Sequence, residues 1–192
     1  ERLVLIKKLL ASDGSIYVHC DWRLNSTLAV ILDEIFGSKN FRRELVWFRD
    51  NPSGGKSTAN NFIHSHDTIL YYSKSDDFIF NKQYEQYSEK YIQRFDKDDN
   101  DGKGKYRMQG SGSNLRKQYL NESKGKLIQS VINIPNINVM AKERLFYPTQ
   151  KPEKLLEMII SASSNENDLI ADFFCGSGTT SDVAEKLNRK WI

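Results

Sequence analysis

Leu169-Ile170-Ala171-Asp172-Phe173 is an apolar run broken by one carboxylate, and Gly176-Ser177-Gly178 follows it after two residues. Beyond the glycines, Val183 and Leu187 stand at helical spacing. This order predicts a buried strand over 169–173, a tight turn, and a helix over 179–187 with Val183 and Leu187 inward. Such a unit cannot stand alone. Its strand needs neighbours and its helix needs a sheet to cover, which commits the chain to a layered α/β fold.

The remaining pattern agrees. Leu3, Ile6, Leu9 and Leu10 recur at helical spacing until Ser12-Asp13-Gly14 ends the run, and Ser15–His19 reads as a strand. From Asp21 a second helix is expected, with Leu24, Leu28, Ile31, Leu32 and Ile35 on one side and Gly37 as its stop. Glu44–Phe48 and Thr68–Tyr72 read as strands, and Asn51-Pro52-Ser53-Gly54-Gly55 as a loop. Pro152 opens a helix with Leu155, Leu156, Ile159 and Ile160 on its apolar face, and Lys190-Trp191-Ile192 begins another strand. Strands alternating with helices across short connections predict a mainly parallel sheet.

Composition excludes several classes. With 39% hydrophobic and 28% charged residues, whole-chain disorder is excluded, and no apolar run approaches a membrane span. Cys20 and Cys175 are the only cysteines, so a disulfide scaffold is excluded. With no secretory pattern at Glu1-Arg2-Leu3-Val4, a cytoplasmic location is expected. His19, Cys20, His64 and His66 lack zinc-site spacing, so no metal is expected.

Charge is unevenly spread. The polar, turn-rich stretch 74–145 reads as an inserted module between segments 1–73 and 146–192, with a short helix near Gln83–Arg94. Within it, Lys103, Lys105, Arg107, Arg116, Lys117, Lys124 and Lys126 face only one acid, Glu122, over residues 102–126. Five glycines and two tyrosines interleave them. Cations, aromatics and flexible backbone suit a phosphate chain and unstacked bases, and equally describe a solvated loop.

Asp172 stands where strands of doubly wound sheets deliver nucleotide ligands, and the glycines leave room for a close approach. The full G-x-G-x-x-G fingerprint is not met, because Ser181 replaces its third glycine. An acid before the turn repels a pyrophosphate but suits an ammonium group and hydroxyls, both found in S-adenosylmethionine. The same residues also describe an ordinary βα turn, and spacing alone does not choose between the two.

Tyr147-Pro148-Thr149-Gln150-Lys151-Pro152-Glu153-Lys154-Leu155-Leu156, then Ala162-Ser163-Ser164 and the segment Asp168–Thr180, resembles the paired cofactor motifs of the β-class DNA amino-methyltransferases of restriction–modification systems. Gly14–Trp22, Leu32–Gly37, His66–Lys74 and Ala141–Arg144 resemble further family segments, so the likeness covers most of the chain. It implies an incomplete Rossmann-like methyltransferase sheet flanked by helices, with an irregular target-recognition region inserted. It implies that Asp172, Phe173, Phe174, Gly176, Ser177, Gly178, Thr179 and Thr180 line the S-adenosylmethionine loop. Thr149, Gln150, Lys151 and Pro152 would close over the methionine end. The seven cations would meet double-stranded DNA, and a cognate restriction subunit is a further partner the resemblance brings. The resemblance favours adenine N6 as the target. Cytosine N4, or a non-catalytic DNA-binding module with a nucleotide pocket, is the alternative.

One family element is missing. The chemistry requires an Asp/Asn/Ser-Pro-Pro-Tyr/Phe loop that accepts hydrogen bonds from the target amino group and stacks on a flipped base. The four prolines, Pro52, Pro135, Pro148 and Pro152, are never adjacent, so this sequence contains no catalytic residue of that kind. In the β-class order the loop would precede Glu1. The expectation is therefore an internal piece of a larger enzyme with negligible methyl transfer alone. Three weaker matches fail. Asp50-Asn51-Pro52-Ser53 lacks the second proline, Gly54-Gly55-Lys56-Ser57 lacks the first P-loop glycine, and 96–102 misplaces calcium ligands.

Overall fold

A computed structural model describes residues 1–49, 60 and 62–192. The segments expected as a loop or weighed as weak motifs at 50–57 lie outside the described residues. The chain divides into two compact units, one of residues 1–81 and 129–192, the other of residues 82–128. The larger unit begins with α1 (Arg2–Leu9), β1 (Ser15–Cys20), α2 (Asn25–Phe36), β2 (Phe41–Phe48) and β3 (His66–Ser73). The smaller holds β4 (Tyr84–Glu85), α3 (Glu89–Ile92), β5 (Tyr106–Gln109), β6 (Arg116–Tyr119) and β7 (Lys126–Leu127). The larger resumes with β8 (Val131–Asn133), α4 (Glu153–Ser163), β9 (Leu169–Ile170), α5 (Thr179–Lys186) and β10 (Lys190–Trp191).

The sheet corrects one expectation. Its order is β1-β3-β2-β8, and β3 runs antiparallel to both of its neighbours. The mainly parallel sheet is therefore a mixed one. The β1–α2–β2 crossover does leave β1 and β2 pointing the same way, but β3 returns between them. Among the described residues, only β2–β8 and β9–β10 pair in parallel. As the central strand, β3 buries all of residues 68–73, which explains its continuous apolar run.

Helices cover both faces of this sheet. On one, Leu70 and Tyr72 pack against Leu32 and Phe36 of α2, with Leu3, Leu10, Ile16 and Leu28 around them. On the other, Tyr71 stacks on Tyr17 at 4.4 Å, and the Tyr17 hydroxyl lies 2.6 Å from Ser163 Oγ at the end of α4. The carbonyls closing α4 are satisfied from two sides. Asn81 Nδ2 donates to Ser161 O and Ser164 O, and Arg189 Nη2 donates to Ser164 O. Against α4 lies α5, with Ile160, Val183 and Ala184 buried and Leu187 and Ile170 beside them.

Three apolar assignments change. The strand expected over 169–173 spans only Leu169–Ile170, and Leu169 and Phe173 are exposed rather than buried. Among the described residues β9 pairs with β10 alone, and Asp172 turns the chain. Leu24 and Ile31 also face outward, leaving Leu28, Leu32 and Ile35 as the packed stripe of α2. Leu9 is exposed at the end of α1.

The smaller unit is held by aromatic rings. Tyr87, Tyr91 and Phe95 cluster, with Tyr87 and Tyr91 stacked at 4.5 Å, and Phe95 is fully buried. The β5–β6 hairpin pairs Tyr106 with Tyr119 and Gln109 with Arg116.

Candidate cofactor loop and nucleic-acid interface

Asp172 organises the turn after β9. Its Oδ1 accepts the Phe174 N–H at 3.0 Å and its Oδ2 accepts the Thr180 hydroxyl at 2.6 Å. One carboxylate thus ties the exit of β9 to the first turn of α5. Gly178 N donates to Cys175 O at 2.7 Å inside this brace. Gly176 and Gly178 both adopt left-handed backbone, at φ +51° and +77°. A Cβ on Gly176 would stand 3.3 Å from the Tyr147 ring, whereas one on Gly178 would meet nothing within 4 Å. The turn is therefore walled by Tyr147 and open at Gly178. No side chain caps α5, and its first N–H groups point back towards the turn. Ser177 and Thr179 hydroxyls bond each other at 2.8 Å. Phe173 and Phe174 project exposed rings, and the Arg2 guanidinium lies 5.5 Å from the Phe174 ring centroid.

The second predicted segment meets this turn through Tyr147. Gln150 fixes it, donating to Glu143 O at 2.6 Å and accepting the Leu145 N–H at 2.8 Å. Glu143 Oε2 accepts the Glu153 N–H at 2.9 Å at the start of α4, directly after buried Pro152. Thr149 is exposed, and its carbonyl accepts from Lys151 Nζ at 3.1 Å. Lys151 reaches over the Trp47 ring of β2 at 5.9 Å, and burial lowers its pKa below the ordinary lysine value. Gln150 and Pro152 therefore shape the segment, while Tyr147 supplies its contact with the glycine turn.

The seven predicted DNA-binding cations separate into two groups. Arg107 donates to Gln118 Oε1 at 2.8 Å and lies over Tyr91 and Phe95 at 4.8 and 5.5 Å. Lys117 pairs with Asp99, which also accepts the Tyr106 hydroxyl, and Lys126 pairs with Glu85 at 2.8 Å. These three serve the unit's own structure. Lys105, Arg116 and Lys124 are exposed and make no ion pair among the described residues, and Lys103 lies over the Tyr119 ring at 5.7 Å.

Comparison with known proteins decides the family. A family profile for N6/N4 enzymes, described as "DNA methylase", matches residues 1–192. The chain belongs to this DNA methylase family. Type II methyltransferase M.EcaI of Enterobacter cloacae is 28% identical, spanning 100% of this chain and 52% of its own length. Type II methyltransferase M2.LlaDCHI of Lactococcus lactis is 32% identical over 98% of this chain and 57% of its own. The chain spans about half the length of these curated relatives. A shorter match, 45% identical over 67 residues, covers 35% of this chain and 23% of the DNA adenine methyltransferase YhdJ of Escherichia coli K12. The fold resembles the crystal structure of the M1.HpyAVI–SAM complex, with TM-score 0.63, 22% identity, and coverage of 99% of this chain and 72% of that one.

In this DNA methylase chain, residue patterns missed Tyr147 as the wall of the turn and Glu143 as its brace. The only available signal was their closeness to Thr149–Pro152. They also missed a polar knot at the strand ends. Asp67, at the start of β3, meets His19 Nε2 at 3.2 Å, Arg49 Nη2 at 3.3 Å and His64 Nε2 at 3.7 Å. Burial first, and Lys151 second, push the His19 pKa below its ordinary value against the opposing Asp67 bond. The described residues contain no metal-holding group of His, Cys, Asp and Glu, and no helix long and apolar enough to cross a membrane.

Proposed function

We propose that this chain is the cofactor-binding and DNA-recognising part of an S-adenosylmethionine-dependent amino-methyltransferase that acts on adenine N6 in double-stranded DNA. The observation that carries the reading is the turn itself. Asp172 braces two left-handed glycines, a wall of Tyr147 stands on one side, and free space opens at Gly178. These residues fit the methyl donor. Each Asp172 oxygen keeps an acceptor site beyond its internal bond, which suits an ammonium or a hydroxyl. Phe173 and Phe174 offer exposed rings to a purine, and Gly178 lets a ligand approach the backbone. When bound, S-adenosylmethionine supplies a methyl group activated by its sulfonium charge. The chain's own part is to bind, orient and shield that group, and to hold the duplex through the smaller unit. The adenine target is supported by the short, high-identity match to an adenine methyltransferase.

Calorimetry tests the proposal. S-adenosylhomocysteine is expected to bind this chain and NAD is not, while Asp172→Ala weakens binding of the former at least about tenfold by removing one charge-assisted contact and the brace. Absence of heat with S-adenosylhomocysteine, or equal binding of NAD, overturns it. Since the sequence has no adjacent prolines, methyl transfer to duplex DNA by these residues alone is expected to be negligible.

A further inference from the structure

The tip of the β5–β6 hairpin differs from its base. At the base, several polar side chains are paired. Arg107 bonds Gln118, Lys117 and the Tyr106 hydroxyl share Asp99, and the Tyr119 hydroxyl reaches Asp101 at 3.3 Å. At the tip, the side chains of Gln109, Ser113, Asn114 and Arg116 bond nothing among the described residues. Residues 111–117 are all exposed.

This tip is nevertheless a defined shape. Gln109 and Arg116 close the ladder as a register pair. A single turn of 3₁₀ helix, Gly112–Asn114, is held by the Asn114 N–H on Ser111 O at 3.1 Å. Gly110 sits at φ +102°, where a Cβ would lie 2.3 Å from Asn114 O, so only glycine fits. The fold thus fixes a loop whose hydrogen-bonding side chains are left unused. They line an open recess of about 550 Å³ formed by Gln109, Gly110, Ser113, Asn114, Leu115 and Arg116.

The residue types are those that read base edges. An arginine fork matches guanine O6 and N7, a carboxamide matches adenine N6 and N7, and an apolar side chain meets the thymine methyl. Arg116, Asn114 and exposed Leu115 supply all three within three consecutive positions. A two-stranded ribbon is also narrow enough to enter a major groove.

We infer that the β5–β6 tip is the sequence-reading element of this chain: it enters the major groove of duplex DNA, where Asn114 and Arg116 select bases while unpaired lysines hold phosphates. This rests on the DNA reading proposed above. Lys105 and Lys124 supply affinity without sequence information, because phosphates are the same at every step.

Selection from a randomised duplex pool tests it, using this chain, Asn114→Ala, Arg116→Ala and Lys105→Ala. The exposed positions leave folding intact, which the thermal melt of each variant verifies. Wild type is expected to enrich a defined motif. Asn114→Ala and Arg116→Ala should each relax one base pair of it, lowering discrimination there roughly 5- to 150-fold while non-specific binding holds. Lys105→Ala should weaken binding to all sequences alike and leave the motif intact. If both tip variants return the wild-type motif, the inference falls while the DNA reading stands. If wild type binds no duplex at all, the DNA reading falls and takes the inference with it.

Discussion

Gly178 is held by two constraints that a single methyl group separates. Its φ of +77° penalises any L side chain, whereas the space around its Cβ position is empty. Gly178→Ala should therefore cost the fold only about 1–2 kcal/mol, the price of a left-handed alanine. Ligand binding should suffer more, because the methyl group enters the space assigned to the methyl donor. A loss of S-adenosylhomocysteine affinity larger than about tenfold is expected beside that small loss in a urea melt. Equal affinity in wild type and variant would place the ligand elsewhere. Gly176 offers no such separation, since its Cβ would also press on the Tyr147 ring at 3.3 Å. Asp172 is the reason the turn holds this shape, through bonds to Phe174 and Thr180. Spacing left Asp172 open between a ligand contact and an ordinary turn residue, and the family resemblance implied the former; the geometry adds that it braces the turn, with Thr180 as its partner.

The elements are joined most tightly where strand ends meet polar side chains. Asp67 draws together His19 at the end of β1, Arg49 just beyond β2, and its own strand β3. His19 is held below its ordinary pKa, so the folded chain binds its proton less readily than the unfolded chain. Stability contributed by the neutral ring is present above the unfolded histidine pKa, about 6.5, and is lost as pH falls through it. The melting temperature is expected to hold above about pH 6.5 and to drop as the pH falls below it, and His19→Gln should flatten that drop. An unchanged slope in the variant would assign it to other groups. This knot was invisible in the sequence because its members lie far apart in number and meet only after β3 inserts between β1 and β2. The strands and helices themselves were legible, since β3 and α5 carry clean apolar patterns. Pairing direction was not, because an alternating strand–helix pattern does not reveal a later strand filling the slot. The short β9 was misread for a related reason: apolar character predicts what a strand can bury, and only its neighbours decide what it does bury. The glycine turn was the most legible part of the site, as positive φ and close approach are written directly in residue type. Its Tyr147 wall depended on tertiary contact, and the only local sign of it was its place beside Thr149–Pro152.

Across the whole molecule, charge is partitioned between the two units. Residues 82–128 hold eleven Lys/Arg and seven Asp/Glu, an excess of +4, so the other residues carry −1 of the chain's +3. The two proposed ligands should consequently answer differently to salt. S-adenosylhomocysteine has no net charge and meets the near-neutral unit, so its affinity should change less than about twofold between low and moderate salt. Duplex DNA releases condensed counterions for each phosphate contacted, with a log–log slope near −0.9 per contact. Lys103, Lys105, Arg116 and Lys124 are the predicted cations whose side chains make neither an ion pair nor a hydrogen bond among the described residues, which implies about four contacts. Non-specific duplex affinity should then fall roughly 100-fold for a fourfold rise in salt. Replacing Lys105 and Lys124 together by Gln should make the slope shallower by about two contacts. The pair Lys117–Asp99 provides the control, because Lys117→Gln with Asp99→Asn removes one charge of each sign. That double variant should keep the wild-type slope. Fluorescence anisotropy across a salt series distinguishes the outcomes: if the paired and unpaired substitutions shift the slope equally, the division of the cations into structural and DNA-facing groups is wrong.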